Sequence, residues 1–190
     1  MGDAAEVRLR PATAADSERL FHWRNLPEVA MWMYSDHVIT ADEHARWIAT
    51  ALPDPTRRYW IIEMDGTPVG LANLVDIDLA NRKASWAYYL ADPAVRGKGV
   101  GAFVEVWVID RVFRELQLNK LCCEVLIENE AVWKMHEGFG FVREALYRDH
   151  VWKGGKPRDV VGLGLLARDW ESVRGESVGR LRARGFAIGD

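Results

Sequence analysis

A glycine-rich loop between a predicted strand and a predicted helix carries the clearest chemical signal in this sequence. Residues 96–101 combine two cationic side chains with three glycines at alternate positions. Alternating glycines let the backbone turn tightly and direct several N–H groups at one point. The helix that follows adds unpaired N–H groups and the positive end of its dipole. This combination predicts a diphosphate site built from Arg96, Gly97, Lys98, Gly99, Val100 and Gly101.

The spacing within this loop excludes two common phosphate-binding motifs. No Gly-Lys-Ser or Gly-Lys-Thr sequence closes it, so it is not a Walker loop. The three glycines also fail the G-x-G-x-x-G spacing of dinucleotide-binding folds. A turn that only ends the preceding strand is the remaining structural alternative.

A single carboxylate interrupts the apolar strand predicted over residues 121–127. Burying an unpartnered carboxylate is unfavourable, so we expect Glu124 to face a cleft, where it can act as a general base directly or through water. A structural ion pair with Arg111 or Arg82 is the alternative. The sequence leaves both interpretations open.

Hydrophobic periodicity and turn residues predict the mixed order β-α-α-β-β-β-α-β-α-β-β. The strands are predicted over residues 7–10, 59–64, 69–76, 83–90, 121–127, 142–152 and 158–166. The helices are predicted over residues 14–24, 41–52, 103–116 and 131–137. We expect one domain over residues 1–170, followed by a C-terminal tail over residues 171–190 with weak helix potential.

The composition limits the classes of function. The chain has 190 residues, 49% of them apolar, which favours one domain with a full-sized core. Its net charge of -3 argues against binding nucleic acid, and no apolar run is long enough to span a membrane. Neighbouring Cys122 and Cys123 would form a strained bridge, so two thiols in a reducing cytoplasm are expected. We predict no metal site.

A second motif, read together with the loop, resembles a known family. The loop has the spacing Arg-x-x-Gly-x-Gly, and residues 129–141 are similar to an Asn-x-x-Ala-x-x-x-Tyr-x-x-x-Gly-Phe signature with His136 in the tyrosine position. The two motifs, in this order, resemble those of the GNAT acyltransferases. The resemblance implies acetyl-CoA as co-substrate. It also implies an α/β fold whose mixed, mostly antiparallel sheet has about seven strands, splays between strands 4 and 5, and carries about four helices.

The resemblance also implies roles for individual residues. The pantetheine arm would enter the gap between the splayed strands, and backbone donors near Tyr89 and Leu90 would hold the thioester oxygen. Asn129 would cap the helix it begins and touch the same arm. The amine would attack the thioester directly, with Glu124 as base and His136 as acid that protonates the departing thiolate. Protonation by water, with His136 as a spectator, is the alternative.

Aromatic and methionine residues suggest an acceptor. The stretches 32–39, 43–48 and 86–89 are similar to those of the PseH group, which acetylates the 4-amino group of a UDP-linked amino-dideoxy sugar in pseudaminic acid biosynthesis, a route to flagellin glycosylation. Met33, Tyr34, Trp47 and Tyr88 could contact the uracil ring and the deoxysugar methyl group. The alternative is that these side chains belong to the core.

Other functions stay open. The opening over residues 23–29 is shared with RimJ/RimL-like enzymes, which acetylate protein N-termini. A polyamine acceptor would need clustered acidic residues, for which the close pair Asp76 and Asp78 before the predicted fourth strand is weak support. His136 in the tyrosine position also leaves a non-catalytic CoA-binding module open. The sequence does not fix the assembly state, for which a homodimer is one candidate.

Overall fold

A seven-stranded mixed sheet organises residues 6–188, the part of the chain that the computed structural model describes. Its strands are β1 (Val7–Pro11), β2 (Arg58–Met64), β3 (Thr67–Asp78), β4 (Lys83–Leu90), β5 (Lys120–Leu126), β6 (Val142–Lys153) and β7 (Lys156–Leu166). The helices are α1 (Ser17–Arg24), α2 (Pro27–Ala30), α3 (Ala41–Ala51), α4 (Val100–Asp110), α5 (Glu130–Glu137) and α6 (Ala167–Ala183). Within residues 6–188, none of these helices has the length and apolarity needed to cross a membrane.

The sheet opens between its fourth and fifth strands. The strand order is β1-β2-β3-β4-β5-β7-β6, and all neighbours are antiparallel except β4 and β5. The parallel β4–β5 pairing covers three residue pairs and ends at Ser85 and Cys122. Beyond these residues β4 pairs only with β3, and β5 only with β7. The facing edges are therefore free to pair with something else, and the predicted splay is confirmed.

Two hydrophobic clusters cover the two faces of the sheet. One lies under α1–α3, and the other lies under α4–α6. Side chains alternate between faces along a strand. On β4, Tyr89 therefore packs on the α1–α3 face, while Trp86 and Tyr88 pack on the α4–α6 face. This alternation decides which predicted site residues can meet.

Helix α3 begins where its capping signal predicts. Glu43 N–H donates to Thr40 Oγ1 at 3.3 Å, and Thr40 N–H donates back to Glu43 Oε2 at 2.7 Å. Helix α4 ends at Asp110, and a π-helical turn over Arg111–Glu115 completes the helical stretch predicted there.

The structure has six helices where about four were expected. One addition is the single turn α2, which begins at Pro27. The other is α6, seventeen residues long, so the expectation of weak helix potential beyond residue 170 is wrong. Trp170, Val178 and Leu181 recur at helical spacing and are buried in the α4–α6 core. This apolar stripe is narrow, and the rest of α6 is polar. The sequence of α6 alone therefore gives a weak helix signal, and the stripe is recognised from its packing against α4. Whether the chain divides at residue 170 into a domain and a tail stays a prediction.

Candidate active site

The loop between β4 and α4 has the backbone geometry of an anion site. Gly97 and Gly99 have φ angles of 74° and 93°, a left-handed region that glycine adopts without strain. Within residues 6–188, their N–H groups donate to no backbone acceptor. The N–H groups of Val100 and Gly101 lie in the first turn of α4, where an α-helix offers no acceptor. Four main-chain donors are therefore available at one corner, flanked by the exposed side chains of Arg96 and Lys98.

Tyr88 closes the space behind this corner. A Cβ atom on Gly101 would lie 2.8 Å from the Tyr88 hydroxyl oxygen, so glycine is required for this close approach. The same hydroxyl is 3.7 Å from Met135 Sδ on α5. Burial, with the Glu105 charge adding to it, raises the pKa of Tyr88. The hydroxyl thus stays protonated between α4 and α5.

A cavity of about 450 Å³ lies on the other face of the sheet, which we call the α1–α3 cavity. Its walls include Arg24, Met33, Glu43, Trp47, Tyr59 and Tyr89. Trp47 packs edge-on against Tyr59 at a ring-centroid distance of 5.1 Å. The structure therefore brings two predicted acceptor residues, Met33 and Trp47, together with Tyr89. Tyr88 borders the cavity, but its hydroxyl points away towards Gly101.

Two formal charges line the α1–α3 cavity. Among its described lining residues, Arg24 is the one Lys or Arg, and Glu43 is the one Asp or Glu. Burial lowers the pKa of Arg24, whose guanidinium donates to Ser35 Oγ. The Thr40 N–H and hydroxyl, with His37, lower the pKa of Glu43 to about 2. The carboxylate is thus already committed to the cap of α3, while the guanidinium has further donors to offer.

Glu124 is exposed on β5, not buried, and it has a tyrosine partner. The Tyr34 hydroxyl donates to Glu124 Oε2 at 2.7 Å. Burial, followed by this hydrogen bond, raises the pKa of Tyr34. Tyr34 also packs edge-on against His150 at 6.2 Å. The structure therefore brings Tyr34 to Glu124 and not to the walls of the α1–α3 cavity.

The ion pair considered as an alternative for Glu124 is not formed. Arg82 donates to the backbone oxygen of Gln117 at 2.8 Å, and Arg111 donates to Glu115 at 3.0 Å. Glu124 is therefore exposed and bonded to Tyr34, with no ion pair to either arginine. That it faces a cleft and acts as a base stays a prediction.

An irregularity in β6 brings further polar rings to Glu124. The register of β6 against β7 shifts between Tyr147 and Val151, where Asp149 has a left-handed φ of 51°. The Tyr147 ring then lies over Gly162, which is the β7 partner of Glu124. His150 lies 5.0 Å from the Tyr147 ring. Sequence reasoning missed these two residues because a bulge of this kind has no clear local signal.

His136 is buried in an ion pair. Its Nδ1 lies 2.7 Å from Glu105 Oε1, and the two residues are 4% and 0% exposed. Burial alone would lower the pKa of His136, but the Glu105 carboxylate and the contact with the Cys123 thiol raise it to about 10. The direction of this shift favours the protonated imidazole, in which Nδ1 donates to Glu105 Oε1.

The groups around His136 are incompletely satisfied. Among the buried side-chain nitrogen and oxygen atoms of residues 6–188, two have no partner: Glu105 Oε2 and Trp86 Nε1. Trp86 packs edge-on against the His136 ring at 5.3 Å. Sequence reasoning missed Glu105, although a carboxylate inside the apolar run of α4 was a usable signal. Buried polar atoms without partners are unfavourable and are found more often at functional sites.

Asn129 begins α5 without capping it. Its backbone oxygen accepts from the N–H groups of Val132 and Trp133, but its side chain makes no cap hydrogen bond. The expected capping role is therefore wrong, while the predicted contact with the cofactor stays a prediction. The side chain is half-buried near the end of the splayed β5 strand.

The described residues were also compared with the arrangements that hold a metal ion. Across residues 6–188, no group of three or more His, Cys, Asp or Glu side chains is arranged to hold a metal ion. That the reaction proceeds without a metal stays a prediction.

Comparison with known proteins fixes the family. The profile described as an acetyltransferase (GNAT) domain matches residues 6–142. The chain belongs to the GNAT acetyltransferases. It is an acetyl-CoA-dependent N-acetyltransferase, as the resemblance of the two motifs implied. The GNAT fold predicted from the two motifs is confirmed.

Relatives with similar, modest identity to this chain have different names. YdaF of Bacillus subtilis (strain 168), provisionally named as a ribosomal N-acetyltransferase, is 29% identical over 88% of this chain and 95% of its own. Acetyltransferase PseH of Campylobacter jejuni (serotype O:23/36, strain 81-176) is 26% identical over 69% of this chain and 82% of its own. The crystal structure of spermidine N-acetyltransferase from Vibrio cholerae, in complex with CoA and spermine, superposes with a TM-score of 0.81 at 22% identity, covering 87% of this chain and 98% of that one.

Proposed function

We propose that this GNAT enzyme acetylates the 4-amino group of a UDP-linked amino-dideoxy sugar, a step in pseudaminic acid biosynthesis for flagellin glycosylation. The observation that carries the proposal is the lining of the α1–α3 cavity, where aromatic and methionine side chains surround one arginine. The similarity to PseH supports the same acceptor.

The lining matches the parts of a nucleotide sugar. Trp47 and Tyr59 offer flat surfaces for a uracil ring, and Met33 offers a soft apolar contact for a deoxysugar methyl group. Arg24 offers guanidinium donors that suit a diphosphate. The volume of about 450 Å³ lies within the range of about 300 to 1,000 Å³ usual for small-molecule sites.

The same lining disfavours a polyamine. An acceptor with several ammonium groups needs several carboxylates, and Glu43 is the one Asp or Glu among the described residues that line the cavity. Glu43 already accepts from Thr40 and contacts His37 at 3.0 Å. Arg24 would also repel a polycation in this partly desolvated space.

The catalytic groups lie on opposite faces of the gap between β4 and β5. Glu124, with Tyr34, faces the acceptor side, and His136 lies on the α4–α6 side because side chains alternate along β5 and α5 packs on that face. An amine that arrives from the α1–α3 side loses its proton to Glu124, directly or through water. The thiolate that leaves on the other side takes a proton from His136. The backbone N–H groups near Tyr89 and Leu90 hold the oxyanion that forms between these two steps.

The cofactor spans the same gap. The diphosphate of acetyl-CoA rests on the main-chain donors of residues 97–101, and the pantetheine arm pairs with the free strand edges beyond Ser85 and Cys122. The thioester then lies between Glu124 and His136. We also propose that the enzyme is cytoplasmic and forms a homodimer.

A direct comparison of acceptors tests the proposal. Purified enzyme with acetyl-CoA is assayed for thiol release with a UDP-4-amino-dideoxy sugar, with spermidine and with a ribosomal-protein N-terminal peptide. We expect kcat/KM for the sugar to exceed the other two by at least about a hundredfold, because each charge-assisted contact contributes about tenfold or more. A higher kcat/KM for spermidine or for the peptide would overturn the assignment.

A pair of arginine variants locates the acceptor diphosphate. Arg24→Met should raise KM for the sugar about tenfold or more and leave KM for acetyl-CoA unchanged. Arg46→Met is the matched control, because Arg46 is exposed on α3 and does not line the cavity. If wild type and Arg24→Met have equal KM values for the sugar, Arg24 does not contact the diphosphate of the acceptor.

Acetylation of a protein N-terminus is the second candidate, supported by the identity with YdaF over nearly its whole length. A peptide acceptor needs an open groove. Here the segment after α2 is held down, because Lys153 Nζ donates to the backbone oxygens of Ala30 and Ser35 at 3.1 and 3.0 Å. Asp36 also accepts from Gly154 N–H at 2.8 Å. Because this segment, which includes the cavity residue Met33, is anchored, it favours the smaller acceptor.

A further inference from the structure

Cys123 lies where the sheet begins to open. The last β4–β5 pair joins Ser85 to Cys122, so Trp86 and Cys123 are the first residues beyond it on the two strands. Both side chains are buried in the core under α4–α6, at 2% and 4% exposure. They therefore flank the closed end of the gap between β4 and β5, on the side where α5 carries His136.

The Cys123 thiol completes a chain of three polar side chains. Glu105 Oε1 holds His136 Nδ1 at 2.7 Å, and the His136 ring also contacts the thiol. Burial raises the pKa of the Cys123 thiol, and the nearby imidazole opposes this shift only in part. The direction of the shift favours the protonated thiol, which is a proton donor and not a nucleophile.

Within residues 6–188, the two buried polar side-chain atoms without partners lie beside the same imidazole. Trp86 Nε1, a donor, belongs to a ring 5.3 Å from the His136 ring, and Glu105 Oε2 belongs to the carboxylate that holds Nδ1. A buried donor without an acceptor is unfavourable unless a ligand or water supplies one. In the gap proposed for the pantetheine arm, a negatively charged sulfur is a suitable acceptor for the indole N–H. This unused donor indicates a ligand independently of the cysteine.

We infer that Cys123 passes the proton of His136 to the departing thiolate of CoA. As the tetrahedral intermediate collapses, its C–S bond breaks and leaves the electron pair on the CoA sulfur, to which Trp86 Nε1 donates a hydrogen bond. That sulfur takes the proton of Cys123 Sγ, and Sγ takes a proton from the His136 ring. The products are the CoA thiol, the same cysteine thiol and a neutral imidazole, which regains its proton from solvent. No bond forms between the acetyl group and Cys123.

The surroundings of Cys123 require the two proton transfers to be coupled. A cysteine thiolate is unfavourable in a buried place, so the proton of His136 must arrive as the first proton leaves. Nδ1 of the same ring stays bonded to Glu105, whose carboxylate stabilises the imidazolium until then. This inference rests on the proposed role of His136 as the acid, and it holds for any amine acceptor.

A double-mutant cycle tests this relay. Cys123→Ala, His136→Phe and the double variant are compared with wild type for thiol release, with whichever of the three acceptors above gives the highest turnover. We expect Cys123→Ala to lower kcat about a hundredfold, within the usual contribution of a general acid. The double variant should lose little more than either single variant, because both changes remove the same proton path. The dissociation constant for CoA, measured by calorimetry, should change little in all three.

Cys122→Ala is the matched control. Cys122 is the neighbouring free thiol, and it faces the opposite side of β5, so this variant should keep the kcat of wild type. Cys123→Ser keeps a proton on its side chain and should recover about tenfold of the loss in Cys123→Ala.

Three outcomes separate the explanations. A kcat for Cys123→Ala equal to that of wild type would overturn the inference and leave direct donation by His136. A double variant that loses the product of the two single effects would also overturn it, because the two residues would then act independently. A preference for spermidine or for the peptide as acceptor would overturn the proposed sugar and leave this relay as it stands.

Discussion

Asp16 and Glu105 are both almost completely buried carboxylates, and their surroundings differ. Asp16, 2% exposed, receives Arg10 at 2.7 and 2.8 Å and Arg19 at 2.9 Å, and it also accepts from Thr13 N–H at 3.0 Å. Glu105, 0% exposed, has His136 on one oxygen and no partner on the other. One carboxylate is fully satisfied, and the other is half-satisfied beside the gap between β4 and β5.

The difference indicates two purposes. A buried carboxylate with all its acceptor positions filled fixes local structure, here the junction of β1 with the first helical turns. A buried carboxylate with an unused oxygen is unfavourable for stability and persists only where something else requires it. For Glu105 we propose that this requirement is the charge state of His136, whose proton the proposed reaction uses. Removing Asp16 should therefore affect folding, and removing the Glu105–His136 pair should affect turnover.

The largest expected effect is on His136. His136→Phe keeps an aromatic ring against Trp86 and Phe141 but removes the proton donor. We expect kcat to fall about a hundredfold, within the usual contribution of a general acid. CoA binding, measured by calorimetry, should change little. If kcat and its pH dependence match wild type, water protonates the thiolate and His136 is a structural residue.

The Glu105→Gln variant separates positioning from proton donation. Without the carboxylate, burial lowers the pKa of His136 from about 10 towards and below the ordinary value of about 6.5. Wild type should keep kcat up to about pH 10, whereas Glu105→Gln should lose about tenfold or more at pH 8 and recover in acid. The control is Glu115→Gln, which removes an exposed partner of Arg111. An alkaline limb that does not move in Glu105→Gln would contradict a positioning role.

Local features of the site could be predicted from the sequence. The loop over residues 96–101 and the Thr40–Glu43 cap depend on neighbours within a few positions, and the structure has both where the residues predict them. The splay and the order of the strands came from the family resemblance and not from periodicity. The isolation of Glu124 in an apolar strand predicted a cleft-facing carboxylate; in the structure its side chain is exposed and accepts from Tyr34.

The rest of the site depends on contacts between distant segments. Glu105 and His136 are 31 residues apart, and no local pattern joins them. Tyr88 and Tyr89 alternate visibly in the sequence, but which of them faces the acceptor depends on the helices that cover each face. Arg184 donates to the backbone oxygen of Gly97, 87 residues earlier in the chain. It follows α6, whose polar composition led to the prediction of a tail. For each of these contacts, the sequence shows one residue as a candidate, but long-range packing decides which residue is its partner.

The smallest effect on catalysis should come from the fully satisfied carboxylate. The Arg10 hydrogen bonds, opposed by burial and aided by Thr13, lower the pKa of Asp16 to about 2. A lowered pKa contributes stability that is present above the unfolded value of about 3.9 and is lost as the pH falls through about 2. Asp16→Asn should therefore lower the free energy of unfolding by about 2 kcal/mol at pH 7, and by progressively less below pH 4.

Urea unfolding across pH 2 to 8, paired with kcat measurements, checks this last expectation. Asp42→Asn, an exposed change in the first turn of α3, is the control and should cost less than about 1 kcal/mol with little pH dependence. Folded Asp16→Asn protein should keep the kcat of wild type, because the Arg10 network lies under β1 and away from the gap. A fall in kcat with unchanged stability would place Asp16 in the same class as Glu105 and remove the contrast between the two carboxylates.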